Sequence, residues 1–76
     1  MRQLSVNDLA ERGIELAPEH AERIRSVSEG GHDEVFIELH GDLAAWAAVE
    51  VVVALAASGP DEISCEAPNL IRLWWD

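Results

Sequence analysis

Lysine is absent from this chain, and arginine supplies all five of its permanently cationic side chains. Fifteen aspartates and glutamates oppose them, so the net charge is −10 at pH 7. Direct binding to nucleic acid needs cations that displace phosphate counterions, and anionic membrane surfaces also attract basic segments. The composition therefore excludes both kinds of partner. It leaves two interpretations of the acidic surface: solubility in a salty cytoplasm, or recognition of a basic partner.

Disulfides and long hydrophobic segments are missing as well. Cys65 is the only cysteine, which excludes a disulfide within the chain and fits a reducing cytoplasm. The longest apolar run, residues 43–57, contains Glu50 and is shorter than the roughly 20 apolar residues that a bilayer requires. The N-terminus has no apolar leader pattern. We therefore expect a cytoplasmic protein whose 76 residues form a single domain, 1–76.

Residues 1–31 are predicted to form a pair of helices. Ser5 and Asp8 have the spacing of a capping box, and Gly13 supplies the end of that first helix. Pro18 fits the first turn of the second helix. Its apolar residues recur at helical spacing: Ala21, Ile24 and Val27.

Residues 34–76 are predicted to form a βαββ unit. Residues 34–40 alternate as a half-buried strand, and residues 43–58 form a helix that is apolar nearly all round, which predicts packing on more than one side. Residues 62–67 and 70–75 follow as two more strands. The expected fold is a two-layer α+β or α/β domain of order ααβαββ. A small three-stranded mixed sheet is expected to pack on the apolar helix. Its first two strands are parallel through a right-handed crossover, and the third is antiparallel beside either of them.

The register of the last strand decides which of its residues face the core. A strict two-residue turn at Pro68-Asn69 would bury Arg72, whose desolvation is unfavourable unless the charge is paired. A bulge or a longer loop would instead turn Ile71, Leu73 and Trp75 inward and leave Leu70, Arg72 and Trp74 outside. We favour the second register, which places Arg72 on the outer face of the sheet.

Catalytic and metal-binding patterns are not found. The histidines and Cys65 lack the spacing of paired metal ligands, although a folded-back loop would bring His32, Asp33 and His40 together. Strand alternation places Cys65 on the buried face and His40 on the opposite one, which argues against a Cys–His dyad. The sequence therefore predicts no enzyme, no cofactor and no metal.

Two functions remain from these observations. The first is a non-catalytic acidic module that binds a basic protein, as an inhibitor, an adaptor or a nucleic-acid mimic. Its predicted partner surface is the outer face of the sheet: Phe36, Glu38, His40, Glu62, Glu66, Arg72 and Trp74. The alternative is a structural subunit of a homo-oligomer, such as a homodimer, whose interface contains Trp46, Val53 and Trp75. A competing structural interpretation covers the outer face with the N-terminal helices.

Overall fold

The computed structural model describes residues 2–31 and 33–76 of the chain. The elements in chain order are β1 (Arg2–Leu4), α1 (Asp8–Glu11), α2 (Pro18–Ala21), β2 (Ile24–Gly31), β3 (Glu34–Leu39), α3 (Ala45–Ala56), β4 (Glu62–Ala67) and β5 (Leu70–Trp74). The five strands form one open sheet of order β1-β2-β3-β5-β4, in which every neighbouring pair is antiparallel. The expected α+β class is confirmed.

The predicted order ααβαββ and the three-stranded mixed sheet are wrong. Two further strands, β1 and β2, extend the sheet beyond β3. Strands β3 and β4 point in the same direction, as the crossover through α3 requires, but β5 lies between them. Because β5 pairs antiparallel with both, the predicted parallel pair is split and no neighbouring strands in this sheet are parallel.

The N-terminal helical pair is present but shorter than predicted. α1 and α2 are four residues long each, and the chain from Ile24 to Gly31 forms β2. Ile24 and Val27 are three residues apart and both buried, as on a helix. The register shifts between Ile24 and Ser26, so a bulge turns both side chains to the same face of the sheet. Because of this bulge, two buried residues of a strand have the three-residue spacing that is typical of a helix.

The predicted capping box is present even though its helix is short. The backbone N–H of Ser5 donates to Asp8 Oδ2 at 2.8 Å, and the backbone N–H of Asp8 donates to Ser5 Oγ at 3.3 Å. The hydrogen bond from the Ser5 backbone, aided by the Ser5 hydroxyl, lowers the pKa of Asp8 below its ordinary value. The reciprocal pair therefore fixes the entry to α1 after β1.

The buried cluster lies between the inner face of the sheet and the helices. Its members come from both layers: Leu4, Leu9, Ile14, Ile24, Val27, Val35, Ile37, Leu39, Val51, Leu55, Ile71 and Leu73. Within the described residues, α3 packs on the sheet along one side and beside α2, and packing of its outward side on a second copy stays a prediction. Val51 and Leu55 are buried together with Ala47, whereas Trp46, Val49 and Val53 on the other side are exposed. Gly59 adopts φ 83° directly after the helix, a conformation that favours glycine.

The β4–β5 hairpin confirms the register that we favoured. Cys65 pairs with Ile71 and Ala67 pairs with Leu70, so Glu66 is the extra residue of a bulge. The shift buries Ile71 and Leu73 and leaves Arg72 on the outer face. Within the residues that the structure describes, no helix has both the length and the apolar character needed to cross a membrane.

Candidate functional site

The outer face of the sheet is the first candidate surface. Ser28, Phe36, Arg72 and Ser64 lie in register on four adjacent strands, and all four are half-buried. α1 and α3 contribute their buried side chains to the cluster on the opposite face. In the described parts of the chain, the N-terminal helices therefore do not form a cover over the outer face.

Arg72 offsets part of the acidic charge that the sequence places on this face. Its Nε donates to Glu34, and its Nη1 donates to Glu62 Oε1 at 2.7 Å. These carboxylates raise the pKa of Arg72 above its ordinary value, with the Glu34 hydrogen bond as the main cause. Arg72 thus joins β3, β5 and β4 across the surface, which gives it a structural role.

Glu38 is also engaged within the chain. It accepts a hydrogen bond from Ser26 Oγ at 3.0 Å and lies 3.9 Å from Arg25 Nη1. Phe36 and Trp74 share the face with it, as predicted from strand alternation. The predicted partner residues of this face are therefore brought together, but three of the carboxylates here, Glu34, Glu38 and Glu62, already have cationic neighbours.

Other predicted residues lie at the margins of the sheet. His40 follows the last residue of β3 and is exposed, and Glu66 is exposed at the β4 bulge. The predicted burial of Cys65 is wrong. Its parity is that of the inner face, but β4 is an edge strand and leaves the thiol exposed. Alternation along a strand predicts which face of the sheet a residue lies on. Whether that residue is buried depends on whether other elements cover its position.

The outward side of α3 is the second candidate surface. Trp46, Val49 and Val53 are 65%, 59% and 63% exposed, and together they form a surface that we name the α3 ridge. One turn of helix separates successive members, so they lie in a single row. Trp46 and Val53 were predicted as interface residues and are brought together here. Trp75 was also predicted as an interface residue, but it lies apart from the ridge because it packs against the buried cluster between the helices and the sheet.

Arg23 holds the aromatic end of the α3 ridge in place. Its guanidinium carbon lies 5.4 Å from the centroid of the Trp46 ring. Its Nη1 donates to the carbonyl oxygen of Ala47 at 3.1 Å and to Glu50 Oε1 at 2.9 Å. A cation over an indole face attracts it electrostatically. Sequence reasoning did not identify Arg23 as part of this surface, because the contact joins residues 23 positions apart.

Metal-ligand side chains do not assemble in the described residues: no group of three or more histidine, cysteine or acidic residues is close enough to hold an ion there. The alternative in which a folded-back loop brings His32 to Asp33 and His40 involves His32, which lies outside the described residues. Comparison with protein-family models, with curated proteins and with solved structures finds no match to this chain. The two surfaces themselves are the basis for a functional proposal.

Proposed function

We propose that this chain is a non-catalytic binding module that takes a basic protein partner on the α3 ridge. The observation that carries the proposal is the row of Trp46, Val49 and Val53, whose apolar side chains face solvent. Exposed apolar patches with a polar rim are typical of protein interaction sites, and tryptophan is enriched among binding hot spots. Glu50 lies within the same helix surface, with its side chain 53% exposed.

The charge of the whole chain favours a basic partner. Each of the five arginines lies in an ion pair with one or two of its own glutamates. The net charge of −10 therefore represents acids beyond those that the arginines offset. Such an excess steers cationic partners toward the surface and repels anionic ones. The nucleic-acid mimic gains little support from the sheet face, because Arg72 and Arg25 neutralise carboxylates there.

A comparative pull-down tests the proposal. The baits are the wild type, Val53→Ser on the α3 ridge, and Val6→Ser, a matched change at a valine that is also exposed and lines a separate depression with Leu9 and Ile14. We expect basic proteins to be retained by the wild type and Val6→Ser, released by raised salt, and lost from Val53→Ser. Retention that is indifferent to both Val53 and salt would contradict the proposal.

The homo-oligomer is the second candidate, and the same apolar ridge favours it. A second copy would present the same apolar row, but its net charge of −10 would repel the first copy. The proposal therefore predicts a monomer at low ionic strength. Sedimentation equilibrium over a range of salt concentrations measures this, and a stable dimer at low salt would favour the structural subunit instead.

A further inference from the structure

A shallow groove runs beside the α3 ridge. It has a volume of about 390 Å³ and is lined by His20, Val49, Glu50, Val53, Ala54 and Ala57. The α3 residues in this set recur at spacings of three and four, so the groove follows the helix axis. The short side chains of Ala54 and Ala57 let another backbone approach closely. α2 packs beside α3 and contributes His20 as the opposite wall.

The groove suits a helix better than an extended segment. The backbone N–H and C=O groups in the middle of α3 are hydrogen-bonded within the helix, so its side offers no edge for strand addition. An extended segment on this apolar surface would leave its own backbone groups without partners, which is unfavourable. A helix satisfies its backbone internally and can place residues at i, i+3, i+4 and i+7 into such a groove.

Both helices that line the groove carry acidic residues. Glu19 lies on α2 and Glu22 is its C-terminal cap residue, and both are exposed. Glu50 lies within the groove lining and is paired with Arg23, which also donates to the Ala47 carbonyl and lies over Trp46. The net charge of −10 attracts cationic side chains that flank an apolar row, and it repels a second copy of the chain.

We infer that the occupant of the groove is an amphipathic cationic helix from a partner protein. Its apolar row lies on Val49 and Val53, and its cationic flanks are attracted by the net charge of −10 and lie near Glu50. This inference rests on the proposed function and deepens it by naming the partner's chemistry and conformation. Trp46 serves as an anchor that Arg23 has already oriented, which reduces the conformational entropy lost on binding.

Synthetic peptides of about 14 residues, roughly four helical turns, provide the probe. The first contains leucine at i, i+3, i+4 and i+7 with lysine elsewhere. The second is a scrambled isomer of identical composition with no helical apolar face, and the third replaces every lysine by glutamate. Isothermal titration calorimetry at low salt measures the affinity of each for the wild type, Trp46→Ala, Val53→Ser and the control Val6→Ser.

We expect the patterned cationic peptide to bind at least about tenfold more tightly than its scrambled isomer. Trp46→Ala and Val53→Ser should remove most of that ratio, and Val6→Ser should keep it. Because Trp46 and Val53 are exposed, circular dichroism should show all variants folded. The glutamate peptide should not bind, since its charge has the same sign as the net charge of the chain.

Two other outcomes separate the inference from the proposed function. If both lysine peptides bind equally and Val53→Ser weakens both, a basic partner on the α3 ridge still holds and the helical occupant is refuted. If neither ridge substitution changes the affinity of any peptide, both the inference and the proposed site are overturned. Tight binding of the glutamate peptide would refute the cationic partner.

Discussion

Leu55→Ala is expected to lower the free energy of unfolding by about 2–5 kcal/mol, whereas Val53→Ala should change it by no more than about 0.5 kcal/mol. Leu55 is 0% exposed within the buried cluster, so its truncation leaves a cavity between α3 and the sheet. Val53 is 63% exposed and has few neighbours to lose. Alanine also has the higher helix propensity, which offsets part of any loss at Val53.

The expected loss of unfolding free energy in Leu55→Ala is large relative to the total stability of a chain of this size. At about 0.05–0.15 kcal/mol per residue, the total stability is of the order of 4–11 kcal/mol. Urea denaturation followed by circular dichroism measures both variants. An equal loss at Val53 and Leu55 would mean that the α3 ridge is buried in solution, by a second copy or by a different packing of α3.

Gly30→Ala is expected to lower the free energy of unfolding by about 1–3 kcal/mol. A Cβ at Gly30 would overlap the Phe36 ring and would lie 2.5 Å from Glu34 Oε1. Phe36 is half-buried in register between Ser28 and Arg72, and Glu34 is tied to Arg72. The substitution therefore has to displace packed groups on the outer face of the sheet.

Gly31→Ala is the matched control for this prediction. A Cβ at Gly31 meets nothing within 4 Å, and φ at this position is not positive. Where the backbone conformation is compatible, replacing glycine by alanine stabilises by about 0.4–1 kcal/mol, because the unfolded chain loses entropy. Thermal and urea unfolding of the pair should give opposite signs. Equal tolerance at the two glycines would contradict the packing of Phe36 on Gly30.

The second half of the fold was predictable from sequence because its patterns are unambiguous. Strict alternation marks β3 and β4, and the glycine and proline residues around Pro60 and Pro68 separate the elements. The unfavourable burial of Arg72 was sufficient to predict a bulge or a longer loop after β4, and the structure contains the bulge. Strand order was not predictable, since a hairpin can place its second strand on either side of the first.

The prediction for residues 1–31 was partly wrong for a physical reason. A β-bulge in β2 gives Ile24 and Val27 the spacing of a helix, and β1 is three residues long, too short to show alternation. The capping box of Ser5 and Asp8 and the glycine stop at Gly13, which adopts φ 81°, were correctly located at the two ends of α1. The second helix was predicted too long, because Ile24 and Val27 belong to β2.

The candidate site was predictable only in part. Alternation placed Phe36, Arg72 and Trp74 on one face, and the structure agrees. The ion pairs that neutralise this face join distant residues, so their geometry could not be anticipated. α3 is apolar nearly all round, and periodicity therefore could not tell its buried side from the α3 ridge. Only the position of the sheet makes that distinction.

The central claim is that the α3 ridge, and not the outer sheet face, receives a cationic helix. Nuclear magnetic resonance titration of the isotopically labelled chain with the patterned leucine–lysine peptide tests it most directly. We expect saturable chemical-shift changes at the Trp46 indole N–H and at the methyl groups of Val49 and Val53. The signals of Phe36 and Trp74 should stay unchanged. Changes confined to Phe36 and Trp74, or spread evenly over the acidic surface, would contradict it.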